Sequence, residues 1–242
     1  MIELEQIFVI LLIAGAGGFI QRVTGFGFGI FVMLFLPHIM KTHTSAAAIS
    51  TLVSCFISLY NAVLYRKNIP YKKIIPSILA ALITIPIAVR FSVMISGDMF
   101  KKILGVVLII LSIYFVFFNN RIKIKPTVKN GVIAGGVGGV LTGLFSTGGP
   151  PIVLYLMNAL KDNTMYFAST QFYFGMTGIY STVVRIFNGI ITKEVIICSA
   201  VGFLGSIAGN LVGKKVFDKL NAEKLRRIIY FAMSVSGIIM II

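Results

Sequence analysis

The chain has 242 residues, of which 57% are hydrophobic and only 12% charged, with a formal net charge of +15. A soluble domain of this length carries about 25% charged residues, so composition excludes an ordinary soluble class and points to a polytopic membrane protein. The positive charge does not imply nucleic acid, because the basic residues occupy short loops between apolar runs, where the positive-inside rule places them.

In chain order, apolar segments are predicted at 6–22, 27–40, 44–65, 74–95, 100–118, 130–144, 149–160, 165–188, 194–213 and 225–242. "MIELEQ" at the start is acidic and has no basic n-region, so no cleavable signal is expected there. The first pair of segments flanks "TGFGFG" (Thr24–Gly29) and forms one continuous apolar stretch. A second such stretch flanks "STGGPP" (Ser146–Pro151). A straight helix of about 30 residues reaches about 45 Å, too long for a hydrocarbon core of about 30 Å. Each stretch therefore tilts, breaks or folds back. Cys55 and Cys198 lie inside apolar runs and read as small buried residues, not as a disulfide or a metal site.

A shift of 121 residues superposes the two halves of the sequence, bringing Gly18 onto Gly139 and Gly27 onto Gly148. At a shift of 125, "FKKIL" (Phe100–Leu104) falls on "LRRII" (Leu225–Ile229). The predicted organisation is a first repeat at 1–118 with a hairpin at 6–40, a basic cytoplasmic linker at 119–130, and a second repeat at 131–242 with a hairpin at 131–160. Loop charge decides between bends and hairpins. If each long stretch crosses once, the loop cations divide nine against ten; if each folds back, four face fifteen. Only the second division obeys the positive-inside rule, with both termini outside. The expected fold is all-α: two inverted repeats, each a broken, re-entrant helical hairpin plus three transmembrane helices. Transporters built this way bind substrate near the midplane, at the repeat interface.

A helix interrupted inside a membrane leaves unpaired backbone groups, tolerated only within protein or beside a watery cavity. Half-helices resuming near Gly27 and Gly149 offer free N–H groups and a partial positive charge to an anion. Gly25, Gly27, Gly29, Gly148 and Gly149 permit positive φ and close backbone approach. Ser146 or Thr147 is placed as N-cap of the second half-helix, with Pro150 in its first turn. Thr24 adds a neutral donor beside the first break, and Gln171 is expected to face the second. Arg22 either meets an anion with its planar fork or snorkels to the surface. Arg185 and Arg90, near span ends, are expected to snorkel. The candidate substrate-binding set is thus Arg22, Thr24, Gly25, Gly27, Gly29, Ser146, Thr147, Gly148, Gly149 and Gln171. No catalytic constellation, metal-ligand cluster or nucleotide loop is present in the pattern, so neither an enzyme nor a cofactor is expected.

The stretches "AGAGGFIQRVTGFGFG" and "AGGVGGVLTGLFSTGGPPIVLYL", with "SAAAISTLVSCF" and "ASTQFYF" after them, resemble the paired Gly-rich signatures of the TauE/SafE family of sulfite and organosulfonate exporters. Phe26 and Phe28 in the first signature and Pro150 and Pro151 in the second depart from the commoner glycine-triple form. The resemblance implies an integral transporter of the cell membrane, whose partners are a small anion and the lipid bilayer, and it admits a homodimer. An exporter of sulfite or an organosulfonate is the leading expectation. An anion channel or an importer of a small sulfur-containing or carboxylate anion is the alternative, and a membrane enzyme or inert scaffold is disfavoured.

Overall fold

The computed structural model describes residues 4–117, 124–160, 162–216, 231 and 234–241. Part of the expected linker (119–123), Lys161 and half of the expected last span (225–230, 232–233 and 242) lie outside the described residues. The described chain forms helices α1 (Leu4–Thr24), α2 (Phe28–Val32), α3 (Leu36–Ile39), α4 (His43–Leu64), α5 (Tyr71–Met94), α6 (Gly97–Phe117), α7 (Val128–Phe145), α8 (Gly149–Ala159), α9 (Asn163–Phe187) and α10 (Lys193–Val216). Residues 234–241 are also helical.

Local chemistry sets the helix starts. Thr42 accepts from the Ser45 N–H at 3.1 Å, Thr127 from the Asn130 N–H at 3.3 Å, and Asp162 from the Met165 N–H at 2.7 Å. Each is a side-chain oxygen taking one of the donors a helix start leaves unpaired. Among the described residues, α1, α4, α5, α7 and most of α10 are long and apolar enough to cross a bilayer. Their outward faces carry exposed Leu12, Phe56, Ile83, Ile87, Leu204 and Leu211, side chains suited to acyl chains and not to water. The protein is an all-α, multi-pass membrane protein.

Between helices in lipid the association is driven by close packing, not by the hydrophobic effect. Small residues mark the seams accordingly. A Cβ on Gly18 of α1 would collide with the Ser206 backbone of α10, and one on Gly139 of α7 would collide with Ala81 of α5. These two contacts are related by the sequence shifts of 121 and 125 found above. The helix pairing has the same form: α1 packs on α10, α7 on α5, and α4 on α9. Exchanging the halves maps that set of pairs onto itself.

The breaks reverse the chain. Gly131 at the start of α7 lies against the Tyr155 ring of α8, and Gly138 lies close to the Gly148 carbonyl. Helix α8 thus runs back antiparallel along α7. Gly17 of α1 meets Phe28 and Val32 of α2, the corresponding return in the first half.

Candidate functional site

The two interruptions meet. A Cβ on Gly29 would run into the Ser146 carbonyl oxygen, and Gly149 faces the Phe26 and Phe174 rings. Between them is a cavity of about 40 Å³, lined by both breaks, by Thr51 and Ser54 of α4, and by Phe174, Thr177 and Gly178 of α9. A water needs roughly 10–15 Å³ measured this way, so the space suits about three waters or one oxyanion of a few heavy atoms. Its α4 and α9 walls come from the middle of those helices, far from either end.

No charged side chain lines the cavity; its polarity comes from hydroxyls, one amide and backbone. In the first half, Gly25 and Gly27 adopt φ of +82° and +97°, which ends α1 and restarts the chain as α2. The first backbone bond of α2 runs from the Phe31 N–H to the Gly27 carbonyl at 2.9 Å. The N–H groups of Phe28, Gly29 and Ile30 are therefore unclaimed within the helix, and all three residues line the cavity. The second half differs. Gly148 is the N-cap of α8, with no side-chain capping bond, so Ser146 and Thr147 do not cap it as expected. Pro150 and Pro151 have no N–H, which leaves Gly149 as the main first-turn donor. The Thr147 hydroxyl is buried without a partner, beside the cavity.

Ser146 has φ of +58°, a left-handed conformation that costs a residue with a Cβ about 1–2 kcal/mol. Glycine there relieves that cost, while a β-branched side chain adds to it. Thermal melting of the purified protein should leave Ser146→Gly near wild type and lower Ser146→Val by roughly 1–2 kcal/mol. Equal melting of both variants would contradict this backbone geometry.

A chain of amides ties the halves together behind the cavity. Gln171 donates Nε2–H to the Gly25 carbonyl at 2.8 Å, and its Oε1 accepts from Gln21 Nε2 at 3.0 Å. Gln21 Nε2 also reaches Ser58 Oγ at 2.9 Å. The carbonyl of Gly25 can only accept, so it orients Gln171, which in turn orients Gln21. Gln21 Oε1 is left buried and without a partner, on a residue that lines the cavity. Gln171 thus serves the first break, not the second as expected, because α9 crosses α4 beside α1.

The ten sequence candidates separate into two groups. Gly27, Gly29, Ser146, Thr147, Gly148 and Gly149 line the cavity; Arg22, Thr24, Gly25 and Gln171 stand behind it. The Thr24 hydroxyl bonds within its own turn, 2.6 Å from the Phe26 carbonyl and 2.9 Å from that of Ile20. Arg22 is 9% exposed and faces away from the cavity. It donates to Asn61 Oδ1 at 3.3 Å and Tyr65 Oη at 3.1 Å, and stacks against the Tyr65 and Phe167 rings. Arg185 does not snorkel: it is 0% exposed and donates from Nη2 to the Gly143 carbonyl at 2.8 Å and that of Thr142 at 3.3 Å. Sequence reasoning missed Thr51, Ser54, Thr177 and Gly178. The available signal was faint, namely small polar residues recurring on one face of α4 and of α9.

Residues 9–240 match the family model described as sulfite exporter TauE/SafE. The chain belongs to that family. No curated protein and no solved structure matches it. TauE/SafE proteins are membrane transporters and not enzymes. As a TauE/SafE protein the chain is a transporter of the sulfite or sulfonate exporter type, with a small anion as its class of substrate. Among the described residues no cluster of His, Cys, Asp or Glu could hold a metal ion.

Proposed function

We propose that this protein is an inverted-repeat secondary transporter of the cell membrane that exports sulfite or a small organosulfonate through the cavity where its two helix breaks meet. The observation that carries the reading is the cavity's lining: unclaimed backbone N–H groups and the unpartnered Thr147 hydroxyl, with no acidic side chain among the lining residues. Such a lining stabilises an anion and offers a cation little. The size favours sulfite or a one-carbon sulfonate over a bulky organic anion in this conformation. Gln21 Oε1 is an acceptor, so hydrogensulfite, which carries a proton on oxygen, finds a partner there.

In this reading the termini lie outside, the 119–130 linker lies in the cytoplasm, and the halves rock about the fixed site. Moving an anion out of a negative interior is downhill by about 2.3 kcal/mol per charge per 100 mV. No proton relay is required. Proteoliposomes should show saturable sulfite flux that increases with an imposed potential. Thr147→Val, which removes the unpartnered hydroxyl at nearly constant volume, should raise KM roughly fivefold to tenfold. Absence of flux for sulfite and methanesulfonate alike would remove the substrate class. Current without saturation would make the protein an anion channel.

A further inference from the structure

Arg185 is fully buried, yet among the described residues the one ion pair, Lys41 with Glu194, does not include it. Of its five N–H donors, Nη2 supplies two to the Thr142 and Gly143 carbonyls, while Nε and Nη1 have no partner. The carbonyls at the end of α7 offset part of the charge, since a helix C-terminus amounts to about half a negative charge. The remainder of a full positive charge is uncompensated. A bare buried cation in a membrane protein is strongly unfavourable unless something negative visits it.

The position of Arg185 on α9 says what that visitor is. Phe174, Thr177 and Gly178 line the cavity. Ser181 and Arg185 continue the same helical stripe, at spacings of three and four residues. Helical side chains lean toward the N-terminus, so the guanidinium leans back from Arg185 toward Ser181 and the cavity. Its carbonyl partner Thr142 is itself a cavity wall. The Ser181 hydroxyl, also 0% exposed, has no partner either.

We propose that Arg185 and Ser181 form a second subsite for a small oxyanion, one helical turn beyond the central cavity on the α9 face. The inference rests on the anion-transport reading. An anion in the neutral cavity is attracted to this single charge, and three unclaimed N–H groups and one hydroxyl receive its oxygens. The α7 carbonyls keep the guanidinium in place as the anion comes and goes. Two sites in series, one neutral and one charged, let an ion bind at each step without being trapped at either.

Ser181→Asp tests this in the full-length protein, because it leaves Arg185 and its hold on α7 intact while supplying a resident carboxylate one turn away. Sodium sulfite flux into proteoliposomes and the melting shift caused by sodium sulfite are the readouts. In Ser181→Asp, KM should rise about tenfold to hundredfold, the size expected for a lost charge-assisted hydrogen bond. The sulfite-induced shift should vanish while the ligand-free melting temperature does not fall. Arg185→Lys, which keeps a charge but loses the fork, should raise KM about tenfold, and it decides the matter if Ser181→Asp does not fold. An unchanged KM in the folded variant overturns the subsite and leaves Arg185 as a clamp on α7 alone. If the wild type shows neither flux nor shift with sodium sulfite or methanesulfonate, the transport reading has failed instead.

Discussion

Gly29→Ala should abolish saturable anion flux, or reduce it at least tenfold, and lower stability by about 1–3 kcal/mol. The added methyl meets the Ser146 carbonyl oxygen, a backbone atom that cannot swing aside as a side chain would. Either the first break moves away from the second or the left-handed turn at Ser146 unwinds. Both outcomes deform the cavity, because Gly29 and Ser146 each form part of its wall. The matched control is Gly136→Ala on α7. There the nearest atom to the new methyl is a Thr84 methyl at 3.9 Å, ordinary contact distance, and alanine favours the helix by up to about 1 kcal/mol over glycine. Gly136→Ala should melt at or above wild type and transport normally. Normal flux in Gly29→Ala, measured in the same proteoliposomes, would show that contact between the breaks is not required.

Gln171→Leu should be the most damaging substitution among the residues behind the cavity, costing roughly 2–5 kcal/mol. It leaves the Gly25 carbonyl without its donor at 2.8 Å and one of the two Gln21 Nε2 hydrogens without its acceptor at 3.0 Å, the other staying on Ser58 Oγ. Each buried group so orphaned costs about 1–3 kcal/mol. The Gly25 carbonyl lies in the turn that ends α1, so the first break should loosen and the anion affinity should fall with stability. Adding Gln21→Leu removes one of the two orphans. The double variant should therefore be more stable than the sum of the single losses implies, by about 1 kcal/mol or more. Strict additivity in denaturant or thermal unfolding would mean that the two amides do not bond.

The inequality between the breaks bears on mechanism. The first presents several backbone N–H groups, and the second has lost two to Pro150 and Pro151. A hydroxyl, Thr147, stands where those donors are missing. Prolines also stiffen the first turn of α8, whereas the first break turns on Gly25 and Gly27 at positive φ.

Membrane character, helical class, the two interruptions and most of the cavity glycines were legible in the sequence, because each depends on local chemistry. Apolar runs need a bilayer. "TGFGFG" and "STGGPP" cannot remain helical. The repeat shift brought Gly18 onto Gly139, and both prove to be seam residues where another helix comes within methyl distance. The partners of long polar side chains were not legible. Gln171 lies 150 positions from Gln21, and which break it serves depends on how α9 crosses α4 and α1. Arg185 was misplaced for a related reason. Its position near the end of an apolar run says how far along the helix it lies, and nothing about whether α7 covers it. Sequence alone thus determined where the backbone must break, since that is decided residue by residue. Only the tertiary structure decided which breaks meet and which charge is buried beside them, because lipid-embedded helices pack through small residues that many pairings could satisfy.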